Sequence, residues 1–200
     1  MRDTVRQKVA ELGERLVAGA AQALHPDAAA AALPPGMGEP LFRSTVPFSP
    51  TAQAAALVLV CNSHEYLQAT LDFLRNGLKL DTYDLVSIPG GVQWLALPDL
   101  LPKHNKVARW TAEFLIREHS LKRVIAVAHE HCSAYAEHGA LGTLAHLATG
   151  KTIVEHQIDQ LRSAGRELAA MGRASVELYY AVGDGDAVVF RPVSLEPERA

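Results

Sequence analysis

The chain of 200 residues holds two cysteines, and each one follows an apolar run. Cys61 closes "AALVLVCN" (55–62), and Cys132 stands three residues after His129 in "RVIAVAHEHCSAY" (123–135). Thiolate sulfur and imidazole nitrogen are donors that zinc takes in tetrahedral arrangement, and three protein ligands leave a fourth position for water. Cys61, His129 and Cys132 make such a set, because an i, i+3 spacing lets a strand end and the turn after it offer two donors to one ion. Zinc held this way brings the pKa of its water down to about 7, so hydroxide is available near neutral pH. The same residues admit other readings. A cysteine after an apolar strand commonly serves as a small buried hydrophobe. Cys61 and Cys132 would form a disulfide if their strand ends adjoin. Without a metal, Cys132 becomes a redox or covalent nucleophile whose pKa His129 and His131 depress. His64 and His131 are surface residues or competing ligands.

The elements that must position these side chains are legible from residue 55 onward. "AALVLVCN" is continuously apolar, as expected of a strand covered on both faces. Ser63 is placed to cap the helix "HEYLQATLDFLRNG" (64–77), which Gly77 ends. "YDLVSIPGG" (83–91) reads as a second strand running into a Gly-Gly turn. A helix from about Asn105 to Glu118 follows, with Val107, Trp110, Phe114 and Leu115 as its inner face, and then "KRVIAVAHE" (122–130) as a third buried strand. Helices are expected over 133–147 and 152–171, the latter with Val154, Ile158, Leu161, Leu168 and Met171 on one side. "SVELYYAVGDGDAVVFRPV" (175–193) closes the chain as two strands joined by a tight turn at Asp184-Gly185. Alternating strands and helices predict an α/β fold: an open, mostly parallel central sheet flanked by helices, with a C-terminal antiparallel hairpin. Ligands bind beyond the carboxyl ends of strands in such a sheet. Cys61, Gly90-Gly91 and the His129–Cys132 segment all reach that edge.

Residues 1–54 form a separate region. Val5, Val9, Leu12, Leu16, Ala20 and Leu24 recur at spacings of three and four, which predicts one apolar helical face over 4–24. "AAAAALPPGMGEP" (28–40) belongs to a connector over 26–50 that proline keeps irregular. The expected division is therefore an N-terminal helix and Pro-rich arm over 1–54 and a zinc-binding α/β domain over 55–200. A formal net charge of −3, with no Lys/Arg cluster, argues against a nucleic-acid partner. No apolar stretch approaches the roughly 20 residues of a membrane span, and the charged N-terminus has no signal-peptide core. A cytoplasmic address is expected, where two cysteines serve as ligands, nucleophiles or buried fillers more readily than as a disulfide.

"CNSHE" at the first strand, "SIPGG" at the second and "AHEHC" at the third resemble the β-class carbonic anhydrases. That family carries C-x-D-x-R, a segment close to R-N-A-G-G, and H-x-x-C in this order, and its terminal strand turns at an Asp/Gly pair as in "VELYYAVGDGDAVVF". The likeness spans roughly residues 55 to 193. It implies zinc on Cys61, His129 and Cys132, reversible hydration of carbon dioxide to bicarbonate by zinc-bound hydroxide, and a homodimer or tetramer with an N-terminal helix packed on the neighbour. The family's catalytic Asp falls on Ser63 and its Arg partner on Glu65, while Ser87-Ile88-Pro89 replace R-N-A. A serine hydroxyl orients a water but does not take its proton near neutral pH. Glu65, four residues beyond Cys61, is a candidate base or oxygen ligand, and His64 and His131 are candidate proton shuttles. Gly90 and Gly91 would let the backbone approach a pocket, with Val92 and Trp94 lining an apolar slot. The alternative is a family-like protein that keeps zinc as a structural staple, or that acts on or binds another small molecule.

Overall fold

The computed structural model describes residues 41–46, 53–137 and 149–196. The helix expected over 4–24, most of the connector over 26–50 and the part of the 133–147 helix beyond residue 137 lie outside the described residues. The chain divides into units Met1–Phe48 and Ser49–Ala200. Of the first, residues 41–46 are described and carry neither helix nor strand; the sheet belongs to the second.

Uninterrupted Val, Leu, Ile and Ala side chains suit strands covered on both faces. In β1 (Leu57–Val60) all residues are buried, and β3 (Arg123–His129) is buried beyond its first residue. These two strands form the middle of a five-stranded sheet with β2 (Asp84–Ser87), β4 (Ser175–Asp184) and β5 (Ala187–Val193), in the order β2-β1-β3-β4-β5. The first four strands are parallel to their neighbours, and β5 runs antiparallel to β4. The α/β class and the C-terminal hairpin are as the sequence pattern implies. Leu57 pairs with Asp84 on one side and Val124 on the other. The chain thus leaves β1 toward one edge and returns to β3 on the opposite side. In open α/β sheets such a reversal marks where ligands bind, which here is the carboxyl ends of β1 and β3.

Alternate strand residues supply two cores. Leu57, Leu59, Val124, Ala126 and Leu178 meet Leu95 of α2 (Gln93–Ala96), Ala112 and Ile116 of α3 (Pro102–Glu118), and Leu161 and Leu168 of α5 (Ile153–Ala170). On the other face, Val58, Val60, Ile125 and Val127 meet Tyr66 of α1 (His64–Asp72) and Leu74 in the π-turn Phe73–Gly77 that extends it. Burying each large aliphatic side chain contributes about 1.5–3 kcal/mol. Cys132 is followed by α4 (Ser133–Glu137). Thr152 and Glu155 close a reciprocal capping box at the start of α5.

Four local expectations need correction. The buried face of α3 is Asn105, Ala108, Ala112 and Ile116, whereas Val107, Trp110 and Phe114 are exposed and Leu115 only half-buried. Asn105 fixes that rotation by donating its Nδ2 hydrogens to the carbonyls of Trp94 and Leu95 at 2.9 and 3.1 Å. Two alanines then let the helix lie close to the sheet. The same helix begins at Pro102, a residue suited to the first turn. Ser63 occupies the N-cap position of α1 without a side-chain capping bond. The hairpin turn is Gly185-Asp186, one residue later than expected, because Asp184 still pairs with Ala187. Gly185 takes φ +63° there.

Candidate metal centre

The parallel register of β1 and β3 brings Cys61, one residue beyond β1, next to the end of β3 at His129. The chain then turns through His131, at φ +53°, and delivers Cys132 to the same place. One ligand atom from each of Cys61, His129 and Cys132 lies within 4.8 Å of the others, and all three residues are buried. The two sulfurs are 3.7 Å apart. A disulfide needs about 2.05 Å, and both cysteines are free thiols. Two sulfurs about 2.3 Å from a tetrahedral ion would stand roughly 3.8 Å apart. The spacing therefore suits a shared ion.

His129 is oriented for the same purpose. Its Nδ1 lies 2.7 Å from the Glu130 carbonyl oxygen. A carbonyl only accepts, so Nδ1 carries the proton and Nε2 keeps its lone pair. Nε2 is buried and has no hydrogen-bond partner. Leaving such an atom unsatisfied costs about 1–3 kcal/mol, and a metal ion would satisfy it. The Tyr66 ring stacks on the imidazole at 4.3 Å and 24°.

The cysteines share their charge unequally. The Cys132 thiol donating to Cys61 pulls the Cys61 pKa down most strongly; burial opposes this, and the backbone N–H groups of Ser63 and Gly90 add to it. Cys132 is pushed up, first by keeping the shared proton, then by burial and the charge on Cys61; the N–H groups of Ala134 and Tyr135 offset part of that rise. Cys61 is thus the more acidic of the two sulfurs, with backbone N–H groups favouring charge on both. Thiolate is the form that binds metal.

Gly90 and Gly91 give this arrangement its close packing. Both take positive φ, +74° and +51°. A Cβ on Gly91 would stand 2.9 Å from the Cys61 nitrogen and 3.0 Å from the Val60 carbonyl carbon, so the loop after β2 presses directly on the ligand's backbone. Val92 is fully buried in the core, and Trp94 packs against that core and meets the His104 ring edge-on. Ser63 is half-buried and faces Cys61 through its N–H; His64 and Glu65, in the first turn of α1, are exposed. His131 is exposed, with Nε2 3.9 Å from Glu130 Oε2.

Three further residues shape the site without having stood out in the sequence. Tyr66 reads as an ordinary core aromatic of α1. Glu130, between two histidines in "AHEHC", offered the signal of an acid at the end of a buried strand. Tyr135, three residues past Cys132 and so on the same side of a helical turn, packs beside both cysteines with its hydroxyl buried and unpartnered. Burial pushes its pKa up, so it remains a neutral phenol. The Tyr66 phenol is pushed up to about 12 by burial and by Glu130.

No protein-family model matches the chain, and no curated protein matches it in sequence. Solved structures similar to it include two β-carbonic anhydrases. One is a β-carbonic anhydrase, isoform I, from the protozoan Trichomonas vaginalis, 13% identical over 74% of this chain and 87% of the other, with a TM-score of 0.44. The second is a β-carbonic anhydrase of the fungal pathogen Aspergillus fumigatus, 16% identical over 96% of this chain and 93% of the other, with a TM-score of 0.48.

Proposed function

We propose that Cys61, His129 and Cys132 hold a zinc ion, and that the protein is a β-carbonic-anhydrase-like enzyme hydrating carbon dioxide or a related small electrophile. The observation that carries this reading is the His129 Nε2 lone pair, buried without a partner beside two sulfurs spaced like one edge of a zinc tetrahedron. Zinc supplies Lewis acidity there, lowering the pKa of a water to about 7.

The chain's own residues have separable roles. The N–H groups of Ser63, Gly90, Ala134 and Tyr135 favour negative charge on the two sulfurs. The Ser63 hydroxyl and the unpaired Tyr135 hydroxyl orient the substrate's oxygens in place of the family's carboxylate. Exposed His64 and His131 exchange protons with solvent, the task for which imidazole is suited. Glu65 stays at the rim of the site as an alternative acceptor. Gly90 and Gly91 bring backbone, rather than side chains, up to the reacting centre. The free thiols fit a cytoplasmic setting, and a homodimer or tetramer would make use of the apolar helix expected over 4–24 and the arm that follows it. Among the described residues no helix is long and apolar enough to cross a membrane.

The test is metal analysis of the purified chain followed by stopped-flow proton release on mixing with carbon dioxide. One zinc per chain and a rate above buffer, both lost in Cys132→Ala, support the enzyme. One zinc per chain with flat traces supports a second reading, which the substitution of Ser63 and Glu65 for the family's Asp and Arg favours: zinc as a structural staple, or a site for another small molecule. A metal-free chain with a readily alkylated thiol overturns both.

A further inference from the structure

His129 is tied to its surroundings more tightly than a ligand delivered by a strand end requires. Glu130 is fixed to β4 twice: its N–H donates to the Ala181 carbonyl at 3.1 Å, and its Oε1 accepts the N–H of Gly183. Between those two anchors lies the Glu130 carbonyl that receives the His129 Nδ1 hydrogen at 2.7 Å. Tyr66 closes the circuit from α1. Its hydroxyl donates to the same Oε1 at 3.2 Å, and its ring lies over the imidazole at 4.3 Å. A Cβ on Gly183 would stand 3.2 Å from that oxygen, so glycine there allows the carboxylate its close approach.

We infer that Tyr66 and Glu130 are positioning residues, a clamp that locks the His129 ring into one orientation and one tautomer, with Nε2 turned to the two sulfurs before any metal arrives. Neither side chain belongs to the ligand set, and neither touches substrate in this assignment. The physical rationale is twofold. A histidine ligand's other nitrogen needs a fixed acceptor, and outer partners of this kind change metal affinity by about 10–100-fold. A ring free to flip would turn a C–H toward the sulfurs, and one free to change tautomer would present an N–H there instead of a lone pair. The consequence for metal affinity rests on the zinc reading above; the consequence for the ring does not.

The experiment therefore has a metal-free arm. Nitrogen-15 NMR of the His129 side chain in the apo protein, at a pH where the ring is neutral, is expected to show one tautomer with the proton on Nδ1. Glu130→Ala and Tyr66→Leu are expected to yield a mixture of both tautomers. Zinc affinity, measured against a competing chelator, is expected to fall by about 10–100-fold in these two variants. Glu130→Gln, which still accepts from Tyr66 and Gly183, recovers most of the affinity. Tyr66→Phe keeps the stack and loses only a few-fold. A mixed tautomer in the wild-type apo protein overturns the clamp even if zinc binds and needs no variant to fold. So does a pure Nδ1–H tautomer in folded Glu130→Ala and Tyr66→Leu. Failure of the wild type to bind zinc overturns the metal reading alone, and a single apo tautomer then still upholds the clamp.

Discussion

The two ends of β3 are built on opposite terms. At its amino end, Arg123 donates from Nε and Nη2 to the Glu177 carboxylate at 2.6 and 2.9 Å, and Tyr179 donates to the same carboxylate at 2.9 Å. The Ser175 N–H reaches the Lys122 carbonyl at 2.9 Å. Donors and acceptors there are matched on the edge of the sheet. Six residues along the strand, the matching stops. His129 Nε2 and the nearby Tyr135 hydroxyl are buried and unpaired, and among the described residues the two cysteine sulfurs have only each other, 3.7 Å apart, as side-chain partners in a hydrogen bond. Buried polar groups are almost always satisfied, so two orphans around one cluster of sulfurs set the carboxyl end of β3 apart from its amino end. At the amino end polar groups are paired; at the carboxyl end buried ones are not.

The sharpest way to break this contrast is to remove a ligand. Zinc binding of about 10–16 kcal/mol spread over four donors implies a loss of about 3–4 kcal/mol per donor, or roughly 100- to 1,000-fold in affinity. Cys61→Ala, Cys132→Ala and His129→Ala should each drop zinc content toward zero in the presence of a chelator, while Arg123→Ala at the other end should leave it unchanged. Because ligands that bind only the folded state stabilise it, chelator should lower the wild-type melting temperature and leave that of Cys132→Ala where it was. Equal zinc content in Cys132→Ala would remove the carboxyl end's special status.

A second test weighs the two tight turns that glycine permits. Gly91→Ala meets backbone atoms of Cys61 and Val60 at about 3 Å and must also hold φ +51°, whereas Gly185→Ala at φ +63° meets nothing within 4 Å. The left-handed conformation costs roughly 1–2 kcal/mol for a residue with a side chain, and overpacking against backbone adds about 1–3 kcal/mol. Urea unfolding should therefore show Gly91→Ala as the more destabilised of the two by at least about 1 kcal/mol, with zinc affinity reduced as well because Cys61 shifts. Gly185→Ala should leave zinc affinity intact.

The sheet and the clustering of Cys61, His129 and Cys132 were legible in the sequence for the same reason: both depend on where apolar runs end. Four- to seven-residue runs bounded by turns locate strands, and a thiol or imidazole at a run's end is then placed by topology alone. The sequence was less informative where rotation or tertiary packing decides. The outward face of α3 contains Trp110 and Phe114, stacked on each other at 5.5 Å, and hydropathy assigns such residues inward. A single buried Asn105 overrides that assignment through two hydrogen bonds. Likewise Tyr66, Glu130 and Tyr135 gain their places through contacts between segments far apart in the chain, which no local spacing records.

Tyr135 offers a finer probe of the carboxyl end. Its hydroxyl makes no hydrogen bond, so Tyr135→Phe removes a buried polar atom without breaking a pair. Stability should be unchanged or raised by up to about 1 kcal/mol, since no partner is orphaned. If the hydroxyl orients substrate as proposed, carbon dioxide hydration should fall several-fold with zinc content unaltered. Destabilisation on the scale of a lost buried hydrogen bond would show that the hydroxyl is paired within the fold and not free to meet substrate.

The smallest effect belongs to the amino end. The Arg123 guanidinium beside Glu177 holds its carboxyl below the usual carboxylate range, with Tyr179 assisting and partial burial opposing. A depressed folded pKa makes a contribution that is complete above the unfolded value, about 4.3, and that disappears as pH falls through the lower folded value. Both side chains are close to a third exposed, at 28% and 32%, so screening limits the contribution to about 1 kcal/mol or less. Glu177→Gln should thus be slightly less stable than wild type at neutral pH, and the gap should close as the pH is lowered below about 4. Urea midpoints taken across that range measure it. A gap that widens toward acid would mean that the carboxylate is not stabilised by Arg123, and that the amino end of β3 is no better matched than the end that carries the thiols.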